Sequence, residues 1–260
     1  MRNPAVDNLR EQFLERLTRE IFHKRGSGFV LKGGGALRAL FGEQRLTKDI
    51  DLDFINPNRS ADSLHHSIAH AIEGAARGLP FRNLTISAPG KAEASPRWKV
   101  NFEDADGRRQ HVEIEVSRDS ARAVPGAVVQ HPFTPRAAKG IARFWVDIYD
   151  EPALIAGKLA ALLGRSVPRD VYDLDLLHHT DKQPSAEQVT WAVKRAKLEG
   201  TNPVTVLRAH LEGLTWPRFM SELRDALPPE VATRLDETEW TALKQRVREY
   251  AERQLRRLPP

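Results

Sequence analysis

Three aspartates alternate with apolar residues in the segment Asp49-Ile50-Asp51-Leu52-Asp53-Phe54. On a β-strand this alternation places all three carboxylates on one face and the apolar side chains on the other. Carboxylates so close together repel one another unless a cation lies among them, and Mg²⁺ prefers carboxylate oxygens and shares its other coordination sites with substrate phosphates. The segment, together with the glycines that precede it, predicts a metal-dependent phosphoryl-transfer site. The alternative is an amphipathic strand with a solvated acidic face.

A glycine triplet, Gly33-Gly34-Gly35, precedes the acidic segment and predicts a phosphate-binding turn. The apolar, β-favouring residues 29–31 lead into it and the helix-forming residues 36–40 follow, so we expect a strand, a tight turn and the start of a helix. Free N–H groups at a helix N-terminus favour an anion such as phosphate. No Gly-Lys-Ser/Thr follows, which excludes a Walker A loop.

A second group of charged residues lies between Glu151 and Leu174. Periodic leucines predict a helix with Lys158 near its middle and with Arg165, seven residues later, on the same side. Asp170 and Asp173 are three residues apart on a following helix and share a face. Judged from the residues alone, these charged side chains could also form an ordinary set of ion pairs between two helices.

Two further glutamates lie on a later predicted strand. Residues 97–102 and 110–118 are predicted to form a hairpin around the turn signal in residues 104–107. On the second strand Glu113 and Glu115 face the same way, and either could complete the metal site. The residues alone leave both glutamates open.

Composition limits the class of protein. The chain has 260 residues, 40% of them hydrophobic, which is enough for one large domain or two smaller ones. It contains no cysteine, which excludes disulfides and thiolate metal sites and is typical of a reducing cytosol. No apolar run approaches the length of a membrane span, and the N-terminal segment predicts an amphipathic helix rather than a signal peptide. We expect a cytoplasmic protein with no membrane partner.

The last predicted helix is rich in basic residues, in a chain whose net charge is +5. In the last predicted helix they lie outside the apolar stripe: Lys244, Arg246, Arg248, Arg253, Arg256 and Arg257. Such a face is commonly only solvated, but it also suits RNA. The histidines, including the pair His178-His179, show no zinc-binding spacing, and we expect them to pack or to face solvent.

The order of the predicted elements indicates an α+β protein. We expect a helix over residues 5–24, then the strand, glycine turn, helix and acidic strand. A helix over residues 60–77, strands near 81–88, the hairpin and a last strand at residues 144–146 come next. From Pro152 onward every periodic segment predicts a helix. This order predicts a mixed α+β half over residues 1–148 and a helical half over residues 149–260 that completes the active-site cleft.

The motifs resemble those of a known superfamily. Gly34-Gly35, thirteen residues and then Asp49-x-Asp51 is similar to the signature of the DNA polymerase β-like nucleotidyltransferases. Within that superfamily, Gly34-Gly35-Ala36-Leu37 and Arg45-Leu46-Thr47-Lys48-Asp49-Ile50-Asp51-Leu52 resemble the AbiEii/AbiGii toxin group, which includes the mycobacterial MenT toxins. The helical lysine followed by Arg169-Asp170-Val171-Tyr172-Asp173 is similar to the family's downstream pattern.

The resemblance implies a polymerase β-like fold and a Mg²⁺-dependent toxin that transfers NMP from an NTP to an RNA acceptor, with the tRNA 3′ end as expected substrate. It implies catalytic and nucleotide-binding roles for two overlapping sets of residues. The catalytic set is Asp49, Asp51, Lys158 and Asp173, and the nucleotide-binding set is Gly34, Gly35, Arg45, Thr47, Lys158, Arg165 and Asp170. The expected metal ligands are Asp49, Asp51 and a carboxylate from a later strand. Glu115 is favoured for this third position, with Glu113 as the alternative, because the context Glu115-Val116-Ser117 resembles the family's strand more closely.

The resemblance also implies a cognate antitoxin, either AbiEi-like or a kinase that phosphorylates Thr47. The alternative for Thr47 is a local hydrogen bond in the turn before the acidic strand. Two other functions stay open: nucleotidyl transfer to a protein side chain or a small molecule, and a non-catalytic nucleotide- or RNA-binding module.

Overall fold

The computed structural model of the chain describes most of its residues. They are residues 4–23, 26–42, 45–56, 60–90, 94–104, 106–118 and 123–258, with side chains from Leu9 onward. Residue 24 of the predicted first helix and Ala105 of the predicted hairpin turn lie outside them. No described helix is both long and apolar enough to cross a membrane.

Seven strands and ten α-helices are found among the described residues. The strands are β1 (Phe29–Lys32), β2 (Asp49–Phe54), β3 (Arg82–Ser87), β4 (Arg97–Glu103), β5 (Arg109–Ser117), β6 (Val128–Phe133) and β7 (Phe144–Tyr149). The helices are α1 (Pro4–Phe22), α2 (Gly33–Phe41), α3 (Ala61–Ala76), α4 (Glu151–Gly164), α5 (Pro168–His178), α6 (Ala186–Arg195), α7 (Pro203–Glu212), α8 (Trp216–Glu222), α9 (Pro229–Arg234) and α10 (Glu237–Leu255).

The chain divides into two compact units. The first comprises Met1–Gly42, Thr47–Ala123 and Val129–Ile148, and the second comprises Glu43–Leu46, Val124–Val128 and Tyr149–Pro260. The predicted boundary between residues 148 and 149 stays a prediction.

The strands form one mixed sheet in the order β3-β4-β5-β2-β1-β7-β6. β2 pairs antiparallel with β1 and parallel with β5, and β5 continues antiparallel into β4. Because β2 lies between β1 and β5, its acidic residues have neighbours on both sides. This mixed sheet, followed by helices, confirms the predicted α+β class.

Strand β5 shows why the acidic residues share a face. Its side chains alternate, so that Val112, Ile114 and Val116 are fully buried whereas Glu113 and Glu115 are part-exposed. The apolar set faces the core, and each fully buried aliphatic side chain contributes about 1.5–3 kcal/mol. A shift of one residue in the pairing of β5 would exchange the two faces, so burial fixes the register.

A buried ion-pair network holds α2 in the first unit. Arg38 of α2 pairs with Glu11 and Glu15 of α1. Glu15 is fully buried and also accepts hydrogen bonds from the backbone N–H groups of residues 136–138. With its carboxylate satisfied, Glu15 ties two segments to α1 and fixes the helix that begins at the glycine triplet.

The second unit is helical, as expected. Asp150 caps α4 by accepting a hydrogen bond from the Ala153 N–H, at 3.1 Å. Trp240 of α10 is buried, packs against Phe219 with ring centroids 4.8 Å apart, and donates its indole N–H to the Leu214 carbonyl. These contacts give α4 and α10 a defined place in the unit.

The sequence did not predict strand β6. It contains Pro132, and its first three residues are exposed, so it has no apolar alternation. It lies at one end of the strand order, where a strand needs only one hydrogen-bonded neighbour. Tertiary pairing rather than local propensity forms this strand.

Candidate active site

The acidic face of β2 continues onto β5. The parallel pairing sets Asp49 opposite Glu113, Asp51 opposite Glu115, and Asp53 opposite Ser117. Residues opposite each other in neighbouring strands project to the same side of the sheet. The predicted set of carboxylates therefore shares one face.

One row of charged residues crosses four strands. Lys32 of β1 is opposite Asp51, Asp51 is opposite Glu115, and Glu115 is opposite Arg97 of β4. Two carboxylates thus lie between two cations. We call Lys32, Asp51, Glu115 and Arg97 the charged row.

Arg97 bridges both candidate glutamates. Its Nη2 lies 2.8 Å from Glu115 Oε2 and its Nη1 lies 3.4 Å from Glu113 Oε1. The two glutamate side chains are equally exposed, at 26% each. Exposure and partner therefore do not separate them, and each lies opposite a predicted metal ligand: Glu113 opposite Asp49, and Glu115 opposite Asp51. The choice of Glu115 stays a prediction.

Asp51 differs from its neighbours in its contacts. The Lys32 ammonium lies 2.7 Å from Asp53 Oδ1, which gives that buried aspartate a partner. Within the described part of the chain, the Asp51 carboxylate has neither a hydrogen-bond donor nor a salt-bridge partner. Its oxygens are available to a ligand.

The glycine triplet forms the first turn of α2 rather than a loop before it. The helix begins at Gly33, and the capping residue Lys32 provides no side-chain hydrogen bond. The first N–H groups of a helix have no partner within the helix, so they can bind an anion here. Gly34 is buried in this turn.

Gly33 and Asp51 are closely apposed. Gly33 has φ +60°, and a Cβ on it would lie 2.5 Å from Asp51 Oδ2. Gly35 is restricted differently, since a Cβ there would lie 2.7 Å from the Leu31 side chain. The Asp51 carboxylate thus lies directly beside the start of α2.

In the second unit Asp173 joins two cations. Arg45 donates from Nε and Nη2 to the two Asp173 oxygens, at 2.7 and 2.8 Å, and the Lys158 ammonium lies 2.6 Å from Oδ2. Asp173 is fully buried. Burial raises its pKa, but the charges and hydrogen bonds of Lys158 and Arg45 outweigh burial and lower the pKa to about 2. Asp173 is therefore ionised at neutral pH.

The ion pairs continue beyond Lys158. Its ammonium lies 3.7 Å from Asp170 Oδ1, and Arg165 donates from Nε to Asp170 Oδ2 at 2.7 Å. We call Arg45, Asp173, Lys158, Asp170 and Arg165 the ion ladder. Its three cations and two anions leave one net positive charge, which suits a phosphate.

The sequence did not predict how Arg165 is positioned in the ion ladder. Helix α4 ends at Gly164, and Arg165 has an extended backbone with φ −158° and ψ 151°. The expectation that Arg165 lies on the face of the same helix as Lys158 is wrong. Asp170 brings the two cations together instead.

Thr47 precedes β2 and is part-buried. Its Oγ1 is buried and has no hydrogen-bond partner among the described residues. A local hydrogen bond in the turn is thus not formed there. Its assignment as a nucleotide-binding or phosphorylated residue stays a prediction.

Two sets of residues are candidates for holding a metal. Asp49, Asp51 and Glu115 offer the carboxylate oxygens that Mg²⁺ prefers, but Glu115 is already paired with Arg97, and the ligand atoms of this set do not all lie within 4.8 Å of one another. The second set was missed in the sequence: Asp175, His178 and His179, near the end of α5, have ligand atoms within 4.8 Å of one another. Both Asp175 oxygens already bind Arg246, at 3.1 and 3.2 Å, which disfavours a second cation there.

Acidic residues beside a helix that begins with glycines, on a mixed sheet, are the arrangement of a nucleotidyltransferase. The chain matches the family described as the nucleotidyl transferase AbiEii toxin of type IV toxin–antitoxin systems, over residues 13–257. It belongs to this family and is a nucleotidyltransferase toxin, as predicted. The family implies an antitoxin partner. No curated protein matches the chain.

Solved structures share the fold, among them the following three. MenT4, a nucleotidyltransferase toxin from Mycobacterium tuberculosis H37Rv, is 20% identical with a TM-score of 0.59, over 100% of this chain and 96% of that one. JHP933 from Helicobacter pylori is 15% identical, with a TM-score of 0.57 and coverage of 98% and 96%. A putative nucleotidyltransferase from H. pylori is 16% identical, with a TM-score of 0.55 and coverage of 97% and 98%. At these identities the likeness concerns the fold alone.

Proposed function

We propose that this toxin transfers NMP from an NTP to a hydroxyl of an RNA acceptor, the tRNA 3′ end being the expected one, and thereby blocks translation and growth. The observation that carries this proposal is the apposition of Asp51 to the uncapped first turn of α2. An RNA acceptor also agrees with the predicted cytoplasmic location, which stays a prediction.

Each part of the first unit has a role in this proposal. The N–H groups at the start of α2, in the turn containing Gly34 and Gly35, bind the triphosphate. Mg²⁺, held by Asp49, Asp51 and Glu115, would neutralise phosphate charge. Lys32 and Arg97 limit the repulsion between the acidic side chains while leaving the oxygens of Asp51 accessible.

The ion ladder has a second role. We propose that Lys158, Arg45 and Arg165 of the second unit neutralise triphosphate charge in the same reaction. Asp173 and Asp170 then act by positioning these cations, since their oxygens are taken up by them. Cations held in place in advance stabilise developing charge without reorganisation during the reaction.

The chemistry is one displacement at phosphorus. The acceptor oxygen forms a bond to the α-phosphorus while the bond from that phosphorus to the bridging oxygen of the β-phosphate breaks. Pyrophosphate leaves with the bonding electrons, and the proton of the hydroxyl passes to solvent. Such a reaction depends mainly on positioning and charge neutralisation.

The test is to incubate the protein with each α-labelled NTP and with total RNA, cell protein or small-molecule extract in parallel. We expect label in RNA, and sequencing of RNA 3′ ends should locate the added nucleotide. Asp51→Asn should abolish labelling without lowering the melting temperature, and Asp106→Asn, in an exposed turn, should leave it unchanged. Label found only in protein or small molecules would exclude the RNA acceptor, and no label in any fraction would exclude the transfer.

Thr47 offers a point of control for an antitoxin. We propose that a kinase-type antitoxin phosphorylates it, because about two negative charges two residues before Asp49 would repel the triphosphate. Thr47→Glu should then slow labelling strongly, whereas Thr47→Val should keep it, since the hydroxyl has no hydrogen bond to lose among the described residues. Equal rates in wild type, Thr47→Glu and Thr47→Val would contradict this control and leave an AbiEi-like antitoxin as the alternative.

A further inference from the structure

Three arginines surround one buried glutamate in the helical unit. Glu252 of α10 is 7% exposed. Arg208 of α7 donates from Nε and Nη2 to its two oxygens, at 2.7 and 3.0 Å. Arg248 and Arg256 add single hydrogen bonds of 3.0 and 3.3 Å. We call Arg208, Arg248 and Arg256 the arginine cluster.

The cluster has more positive charge and more donors than Glu252 needs. Three guanidinium groups and one carboxylate leave two net positive charges. Each guanidinium has five N–H donors, and four hydrogen bonds join the cluster to Glu252. The other N–H groups have no protein partner among the described residues.

The arginine side chains also remain accessible. Those of Arg208, Arg248 and Arg256 are 44%, 39% and 74% exposed, although each contacts Glu252. Hydrogen bonds from Arg208 lower the pKa of Glu252 to about 2, with Arg248 adding to the effect. Glu252 therefore stays charged and keeps the guanidinium groups in place, which reduces the conformational entropy lost when they bind a ligand.

A groove of about 740 Å³ adjoins the cluster between α7 and α10. Three cations line it, Arg208, Lys244 and Arg248, and they outnumber the two acidic residues that also line it, Glu212 and Glu237. Thr241 and Gln245 add uncharged polar side chains. Arginine, lysine, threonine and glutamine are the side chains that commonly bind phosphate oxygens of nucleic acids. The groove therefore extends the cluster into a surface longer than one phosphate.

We infer that the arginine cluster and its groove bind the phosphate backbone of the RNA acceptor. This inference rests on the proposed RNA acceptor, and it assigns binding rather than chemistry to the surface. Arginine forms two parallel hydrogen bonds to a phosphate, and several charges in line favour a polyanion over a single ion. Backbone contacts of this kind carry no base preference, so they suit a conserved structural element of RNA rather than a sequence.

The test measures binding of tRNA in the absence of NTP, by fluorescence anisotropy at several salt concentrations. Arg256→Ala should weaken binding about tenfold and reduce the slope of log affinity against log salt by about 1. Arg253→Ala is the matched control, because it removes the same charge from an exposed position of α10, where the guanidinium lies over Tyr250. Its effect should be much smaller. Equal losses in the two variants, or no loss in Arg256→Ala, would overturn the assignment.

A second variant tests whether tRNA affinity depends on the ordered placement of the arginines or only on their positive charge. Glu252→Gln retains every arginine and adds one net positive charge, but it removes the charged acceptor that holds the cluster. If the ordered cluster binds RNA, affinity should fall despite the added charge. A rise in affinity at unchanged melting temperature would show that charge alone matters and would overturn the inference.

Binding and transfer can fail separately. RNA labelling with unchanged tRNA affinity in Arg256→Ala would leave the proposed function intact and exclude the cluster. Cluster-dependent tRNA binding without labelling of RNA would support the surface and exclude RNA as the acceptor. Binding that inorganic phosphate abolishes at millimolar concentration would indicate a single-phosphate site and would overturn the proposed RNA surface.

Discussion

At the scale of the residue, Gly33 and Asp51 constrain each other. Gly33 adopts φ +60°, which L-residues avoid, and a Cβ on it would collide with the Asp51 carboxylate. Glycine at this position therefore allows both the positive φ at the start of α2 and the close approach of the Asp51 carboxylate.

Gly33→Ala should abolish nucleotidyl transfer. Strain at this φ costs about 1–2 kcal/mol, and displacement of the Asp51 carboxylate should remove the metal ligand. Gly78→Ala is the matched control, because Gly78 has φ +75° but nothing within 4 Å of the added Cβ. It should lose similar stability and keep its activity. The prediction is checked by thermal unfolding together with initial rates, and it is wrong if both variants keep wild-type turnover.

Glu113 and Glu115 form a second matched pair. They share a strand face, a partner in Arg97 and an exposure of 26%, so their stability effects should be alike. Glu115→Gln should reduce transfer by several orders of magnitude, because Glu115 lies opposite Asp51, whose carboxylate has no partner among the described residues, whereas Glu113 lies opposite Asp49. Glu113→Gln should keep most of it. Steady-state rates across a Mg²⁺ titration check this, and the reverse order would make Glu113 the third carboxylate.

At the scale of the element, the ion ladder links α4, α5 and the segment before β2. Lys158 and Arg45 share Asp173, so losing a cation and losing this anion have different consequences. Loss of Lys158 leaves Asp173 paired with Arg45. Loss of the Asp173 charge leaves two largely buried cations without their common anion.

Lys158→Ala and Asp173→Asn should therefore differ. Lys158→Ala should raise the apparent KM for NTP while the unfolding free energy falls only modestly. Asp173→Asn should destabilise the protein by about 3–5 kcal/mol, as expected when one partner of a buried ion pair is removed. Denaturant unfolding and NTP-dependent rates check the contrast. An unchanged KM for NTP in Lys158→Ala would favour an ordinary structural ion pair.

At the scale of the whole molecule, buried carboxylates set the response to acid. The pKa of Asp173 is about 2 in the folded protein against an ordinary value of 3.8, and that of Glu252 is about 2 against 4.5. A carboxyl with a lowered folded pKa stabilises the fold above its unfolded pKa, and this stabilisation is lost as the pH falls toward the folded value.

Stability should therefore fall between about pH 4.5 and pH 2. Asp173 alone should account for about 2 kcal/mol of the loss. Thermal unfolding followed by circular dichroism at a series of pH values measures it. Asp173→Asn should be less stable at neutral pH and should show a shallower decline in this window. A parallel decline in wild type and variant would contradict the lowered pKa.

The sequence determined the local features of this protein. Alternation placed the acidic residues of β2 and the glutamates of β5 on single faces, since the side chains of a strand point alternately to its two sides. Periodic leucines gave the helix carrying Lys158, and glycines marked the start of α2. The motifs were sufficient to predict the family and the nucleotidyltransferase class.

Only the tertiary structure decided which faces meet. The parallel pairing of β2 with β5 sets Asp51 opposite Glu115 across more than sixty residues of chain, and no local pattern encodes a register between distant strands. Local patterns likewise do not predict the pairing of Arg45 with Asp173 or the arginine cluster around Glu252. They also do not predict β6, because its proline and exposed residues are not typical of a strand. Spacing along the chain fixes what a residue can do within its own element, whereas packing between elements fixes which residues act together.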